Sequence, residues 1–408
     1  MIITVLIAQP AKRASCLNYL KFGELDKAKQ ACDECVEHEK TKNDARAWWY
    51  RGQVYQAILT AKEDKYKNLD NDAIYKAFDS YKKALLYNFV DPQYHSLEIF
   101  NKEKPEDLLK FFKLLNDPNT KYTSSELLVD IIKNRYPYLA NNLVNKGVMQ
   151  YKEKDYNGAL KSFENSLFVS TMSGKIDTPI VYYAALAADK AQDFETAKEY
   201  YNNLIKLNYG KDDKEKATMY YLLANVYSQQ KDTANFLKTL NKGIEKYPKE
   251  PLLLSTKINW YIDQGKAQEA KDIVQKAIEA DPDNKLLHFN LGTIYEGKGD
   301  RDSAIICYKK ALEIDPDYLL PNYNLGALYN NWAKDIFDEA QDLMGDEYDK
   351  KMEEYNNTLK LAKPYLEKAH ELDPEDLATM QSLKVIYYKT GEMDKYKEID
   401  ELINKKTQ

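Results

Sequence analysis

The sequence predicts an all-α protein built as a linear stack of antiparallel helix pairs. Three observations predict it. Gly (14) and Pro (13) are scarce for 408 residues, which leaves few tight turns for a β-rich fold, and the dominant Ala, Leu, Glu and Lys are strong helix formers. Pro248, Pro282 and Pro316 recur at intervals of 34 residues. The latter two close the stretches Lys-Ala-Ile-Glu-Ala-Asp-Pro (276–282) and Lys-Ala-Leu-Glu-Ile-Asp-Pro (310–316), where the ring halts the helical hydrogen-bond ladder. The length also exceeds what one hydrophobic core serves, whereas a repeat array grows lengthwise without thickening. The 34 Tyr have a use in such a stack, with the ring between layers and the hydroxyl at the surface.

The clearest copy spans 285–318. Leu291-Gly292-x2-Tyr295 lies on its first helix, Ala304-x3-Tyr308-x2-Ala311 on its second, and Pro316 ends it. Gly292, Ala304 and Ala311 are small where antiparallel helices must approach closely; Tyr295 and Tyr308 fill the gaps. This pattern resembles the tetratricopeptide repeat, W-x2-LG-x2-Y … A-x3-F … A … P, with His288 in place of the Trp and Tyr308 in place of the Phe. The resemblance implies a right-handed superhelical solenoid of about nine helix-pair units, each near 34 residues.

In chain order, residues 1–8 are apolar and β-branched and read as the tail of a secretory h-region or an apolar segment packing on the first helix. An N-terminal repeat pair follows over 9–91. Its first unit (9–42) carries Cys16, Tyr19, Gly23, Ala28 and Cys32; the second opens at Trp48-x2-Arg51-Gly52-x2-Tyr55 and closes at Ala77-x3-Tyr81-x2-Ala84, with an insertion near 60–72 read as longer helices or a polar loop. Residues 92–138 lack the small-residue pattern and form a divergent helical segment: Pro105 to Asn116, then a capping box Thr123-x-x-Glu126 leading to Tyr136-Pro137.

The main array occupies 139–376, with Gly147, Ala159 and Phe163 in 140–173, Ala184, Ala185, Ala197 and Tyr201 in 178–211, Leu223, Ala224 and Tyr227 in 217–250, and Tyr261, Gly265 and Ala270 in 251–284. An insertion near 332–358 keeps helical spacing around Gly345 and predicts an extended helical hairpin. Pro374 closes that copy, and the Lys-rich 377–408 reads as a polar capping repeat.

Little catalytic chemistry is legible. His38, His95, His288 and His370 lie in different repeats without ligand-spaced partners, and no phosphate loop, GxSxG elbow or HExxH occurs. No cofactor or metal is expected. The net charge of -6 comes from 59 basic and 65 acidic residues without a block of one sign, which argues against a nucleic-acid footprint. No run of about 18 apolar residues exists, so no membrane span is expected.

Cys16, Cys32 and Cys35 cluster in the first repeat. Cys32-x2-Cys35 would sit inside a helix rather than at the N-terminus that redox pairs use. In the tetratricopeptide hairpin that the resemblance implies, Cys16 faces the region of Cys32; either a disulfide in an exported protein or small buried residues standing in for Ala or Gly satisfies that placement.

The resemblance implies a non-catalytic scaffold that takes a protein or peptide partner along the groove lined by first helices. Counted from the 285–318 copy, groove-facing positions include Tyr182, Tyr221, Asn225, Asn259, Phe289 and Tyr323. Asn225 and Asn259 share a position where this family uses Asn toward a peptide backbone. If the N-terminal segment is a truncated signal peptide, an exported, periplasmic or envelope-associated protein is expected; otherwise a cytoplasmic one. A structural or self-associating array is the other reading.

Overall fold

The computed structural model describes residues 8–101, 104–172 and 177–407. Met1–Ile7, which bear on export, lie outside them. Among the described residues regular structure is helical, apart from an isolated bridge between Phe89 and Tyr122. The chain divides into two compact units, one ending at Phe236 and one beginning at Leu237. This division falls inside the stretch expected as one array over 139–376.

In the first unit, α1 (Ala8–Lys21) pairs with α2 (Leu25–Glu37), and α3 (Ala45–Leu59) with α5 (Ala73–Tyr87). The 60–72 insertion is a polar loop with one short helix, α4 (Asp64–Lys67), whose Tyr66 is buried and reaches Asp26 at 3.4 Å. After a 3-10 turn at Pro92–Tyr94 come α6 (Pro105–Asn116) and α7 (Ser125–Asp130). Then α8 (Tyr136–Lys152) pairs with α9 (Tyr156–Thr171) and α10 (Thr178–Lys190) with α11 (Phe194–Lys206). Helices α12 (Asp213–Gln229) and α13 (Thr233–Lys246) follow, and the division falls within α13.

Two expectations about 92–138 are corrected. The N-cap of α7 is Ser124, whose hydroxyl accepts from Leu127 N; Thr123 instead donates to Asn88 Oδ1 at 2.7 Å. Nor do Tyr136 and Pro137 end a segment. A π-helical turn over Ile131–Arg135 joins α7 to α8 in one run, so the expected boundary at 138/139 lies within a helix. Pro137 is tolerated because it enters where the wider turn already interrupts the α-helical ladder.

In the second unit, α14 (Pro251–Asp263) precedes α15 (Ala267–Ala280), α16 (Lys285–Gly297) pairs with α17 (Arg301–Ile314), and α20 (Leu377–Thr390) with α21 (Met393–Thr407). Between them α18 (Leu319–Ala340) and α19 (Asp346–Leu372) run 22 and 27 residues and turn at Gly345, φ 61°. The 332–358 insertion is thus helical hairpin.

One packing device recurs within pairs. The first helix offers a residue without a side chain, and a ring or branched side chain of the second fills the space. A Cβ on Gly52 would lie 2.5 Å from the Tyr81 ring, one on Gly147 2.6 Å from Phe163, and one on Gly292 2.5 Å from Tyr308. Tyr81, Phe163 and Tyr308 are buried, as are Tyr55, Ala159, Ala304 and Ala311; Tyr295 is half-buried, and Pro316 follows the end of α17.

The turn inside each pair also repeats. Lys231, Gly265 and Gly299, each 34 residues apart, have φ of 59°, 68° and 76°. After Lys231 and Gly299 the next residue is an Asp that caps the second helix, Asp232 accepting from Asn235 N at 3.1 Å and Asp300 from Ser303 N at 3.2 Å, whereas Lys266 after Gly265 makes no side-chain cap. Glycine suits this left-handed position and lysine strains it. Lys231→Gly is therefore expected to raise stability by about 1 kcal/mol, measured as a higher urea midpoint at unchanged slope.

Candidate partner-binding surface

On a helix, residues four apart share a face. Tyr221 and Asn225 therefore stand together on α12, and Ser255 and Asn259 on α14. Tyr182, Tyr221 and Asn225 belong to the first unit; Asn259, Phe289 and Tyr323 belong to the second.

Their environments separate them further. Tyr182 is half-buried and stacks on Tyr209, ring centroids 5.8 Å apart. Burial first, then Tyr183 and Glu215, pushes its pKa up. Phe289 lies between Tyr308 and Tyr318, at 5.8 and 5.6 Å, and Tyr323 packs on the core that includes Leu325 and Tyr329. These three half-buried rings pack on neighbouring rings or on the core.

Tyr221 and Asn225 are half-buried and Asn259 is exposed. Among the described residues, neither Asn225 nor Asn259 spends its side-chain amide on an intramolecular hydrogen bond.

Two residues of α14 were not singled out from the sequence. Ser255 and Lys257 line a cleft of about 880 Å³ between α14, α15 and the start of α16. The Ser255 hydroxyl is buried without a partner. Burial alone lowers the Lys257 pKa, and no carboxylate among the described residues pairs with it. The signal was present in the repeat register. Leu223, Leu291 and Leu325 occupy the position in other copies that Lys257 takes here.

Cys16 on α1 and Cys32 on α2 are placed as a disulfide, Cα atoms 5.4 Å apart. Cys35 and Cys307 are free and buried, and burial pushes both thiols up, Cys307 to about 11. Neither has the lowered pKa of a nucleophilic thiol. His95 Nε2 meets Phe89 O at 2.9 Å and His288 Nε2 meets Pro282 O at 2.7 Å, so both tie backbone. Among the described residues no group of three His, Cys, Asp or Glu could hold a metal ion, and no helix is long and apolar enough to cross a membrane.

Family models described as tetratricopeptide repeat match residues 182–251, 260–284 and 286–318. These matches fall on the helix pairs from α10 to α17. These stretches of the chain are tetratricopeptide repeats.

No curated protein matches it significantly. Among solved structures, the chain is similar to YrrB, described as a TPR protein with an unusual peptide-binding site, at 18% identity. The match covers 48% of this chain and 96% of that one with a TM-score of 0.31. A TPR repeats protein from Bacteroides fragilis matches at 20% identity over 61% of this chain and 98% of its own (TM-score 0.28). Yeast Tom70 matches at 14% over 98% and 85% (TM-score 0.42).

Tetratricopeptide-repeat proteins bind protein or peptide partners, and the family is generally non-catalytic. In that general sense this protein is a protein-interaction scaffold.

Proposed function

We propose that this protein is a non-catalytic adaptor that holds a protein or peptide against the exposed faces of its first helices, in a cell-envelope assembly. The observation that carries the reading is the pair Asn225 and Asn259. They occupy the same register position, Asn225 in the first unit and Asn259 in the second, and each by itself keeps free an amide that can donate to and accept from a peptide backbone. Tyr221, one turn from Asn225, adds amphipathic contact area.

The test is cross-linking in cell lysate with mass-spectrometric identification of the captured protein. Tyr221→Ala/Asn225→Ala/Asn259→Ala is expected to lower capture at least about tenfold while helicity is unchanged. Unchanged capture would overturn the surface assignment. Concentration-dependent dimers with no heterologous product would replace the adaptor with a self-associating array.

Export is supported by the approach of Cys16 to Cys32, since structural disulfides persist in oxidising compartments. Thiol titration of the unfolded, unreduced protein isolated from cells is expected to find only two free thiols, Cys35 and Cys307. Four would place the protein in a reducing compartment.

A further inference from the structure

Helix α14, which borders the cleft, departs from the repeat at two positions. Where neighbouring copies have a small residue after the leucine (Ala224, Gly292, Gly326), this one has Ile258, which is fully buried. It packs with Ala270 and Val274 of α15 in one buried cluster, Val274 standing where the next copy has Tyr308 and so leaving room for the larger residue. Where the leucine itself should seal the gap, Lys257 places an ammonium. A lysine at a core position costs desolvation of its charge and is retained without penalty only if an anion compensates it. Among the described residues, none does.

The walls define what the anion carries. Leu254, Ile273, Ala277, Leu286 and Leu287 make them largely aliphatic. Besides Lys257, the cleft is bordered by Lys249, Lys276, Glu250 and Asp281; three ammonium groups against two carboxylates leave one positive charge. Asp281 is already engaged by Asn284 Nδ2 at 3.0 Å. The unpartnered Ser255 hydroxyl supplies one hydrogen-bond donor. A cleft of about 880 Å³ falls within the roughly 300–1,000 Å³ of small-molecule sites.

We infer that this cleft binds a small monocarboxylate with an aliphatic body, its carboxylate on Lys257 and Ser255 and its chain against the leucine and isoleucine walls. One excess charge and one donor suit a monoanion and undersupply a phosphate, which takes several donors.

The experiment is isothermal titration of the full chain with decanoate below its micellar concentration, and with decanol as the same body without charge. Decanoate is expected to bind saturably at one site, and decanol at least about tenfold more weakly. Lys257→Leu restores the residue of the other repeats, so folding should be kept or improved, and decanoate affinity should fall at least about tenfold. Lys257→Met, which keeps an unbranched chain, should do the same. Absence of saturable binding to the wild-type chain, equal affinity for decanol, or undiminished decanoate binding by either folded variant overturns the assignment.

Discussion

Tyr308→Ala is expected to destabilise the second unit by about 3–5 kcal/mol, the cost of deleting a large buried ring. Tyr308 is fully buried on α17, and its ring occupies the space that Gly292 leaves open on α16. Its hydroxyl donates to Glu296 and accepts from Asn324 Nδ2 at 3.2 Å, so one side chain ties α16, α17 and α18. Truncation opens a cavity that the helices cannot collapse into without moving as bodies, and leaves Glu296 and Asn324 each short of a partner. Tyr308→Phe keeps the ring and should lose only about 1 kcal/mol. Repeat arrays open locally, so hydrogen exchange of the α16–α18 amides is the direct readout, with the urea midpoint as the global one. A loss below about 1 kcal/mol for the alanine variant would show that the ring-over-glycine contact does not hold this pair together.

Asp130→Ala is expected to cost the first unit about 3 kcal/mol, because it strands a partly buried guanidinium and an indole donor together. Asp130 ends α7 and accepts from Trp49 Nε1 at 2.8 Å, Arg135 Nε at 2.7 Å and Asn134 Nδ2 at 3.0 Å. Trp49 lies on α3, so the carboxylate anchors the divergent segment to the N-terminal repeats. Limited proteolysis should cut between 92 and 135 sooner in the variant.

The pH dependence has a definite sign. Burial raises the Asp130 pKa, but the hydrogen bonds from Arg135, Asn134 and Trp49, with the Arg135 charge, outweigh it and hold the carboxyl below its ordinary value. Its contribution is therefore complete above the unfolded value of about 3.9 and is lost as pH falls through that value towards the lower folded one. The variant's stability should decline less steeply in that acid window. Parallel acid limbs for the two proteins would refute the anchor's charge-dependence.

Most of the architecture was legible because it is local and repeats. The 34-residue spacing of prolines, the small residues at Gly52, Gly147 and Gly292 and the aromatics opposite them all follow from helix periodicity and close approach, which neighbours in sequence enforce. Divergent stretches hid more. Thr123 and Ser124 are both competent caps, and only the competing bond from Thr123 to Asn88 selects Ser124. Tyr136-Pro137 looked like a stop because a proline usually is one; the π turn that admits it is a packing outcome.

The candidate surface shows the same split. The sequence assigned register, and so which residues occupy equivalent positions, but register cannot say whether a ring is open or filled. Tyr182 and Phe289 are committed to neighbouring rings by tertiary contacts, while Asn225 and Asn259 keep free amides.

By itself, then, the sequence determined a stack of helix pairs and the places of its turns, since each is set by a few residues acting at short range. Only the tertiary structure decided that the chain divides after Phe236 and that Ser255 and Lys257 line a cleft beside α14. Those depend on how side-chain volumes from different helices fill shared space, and volume is not additive along a chain.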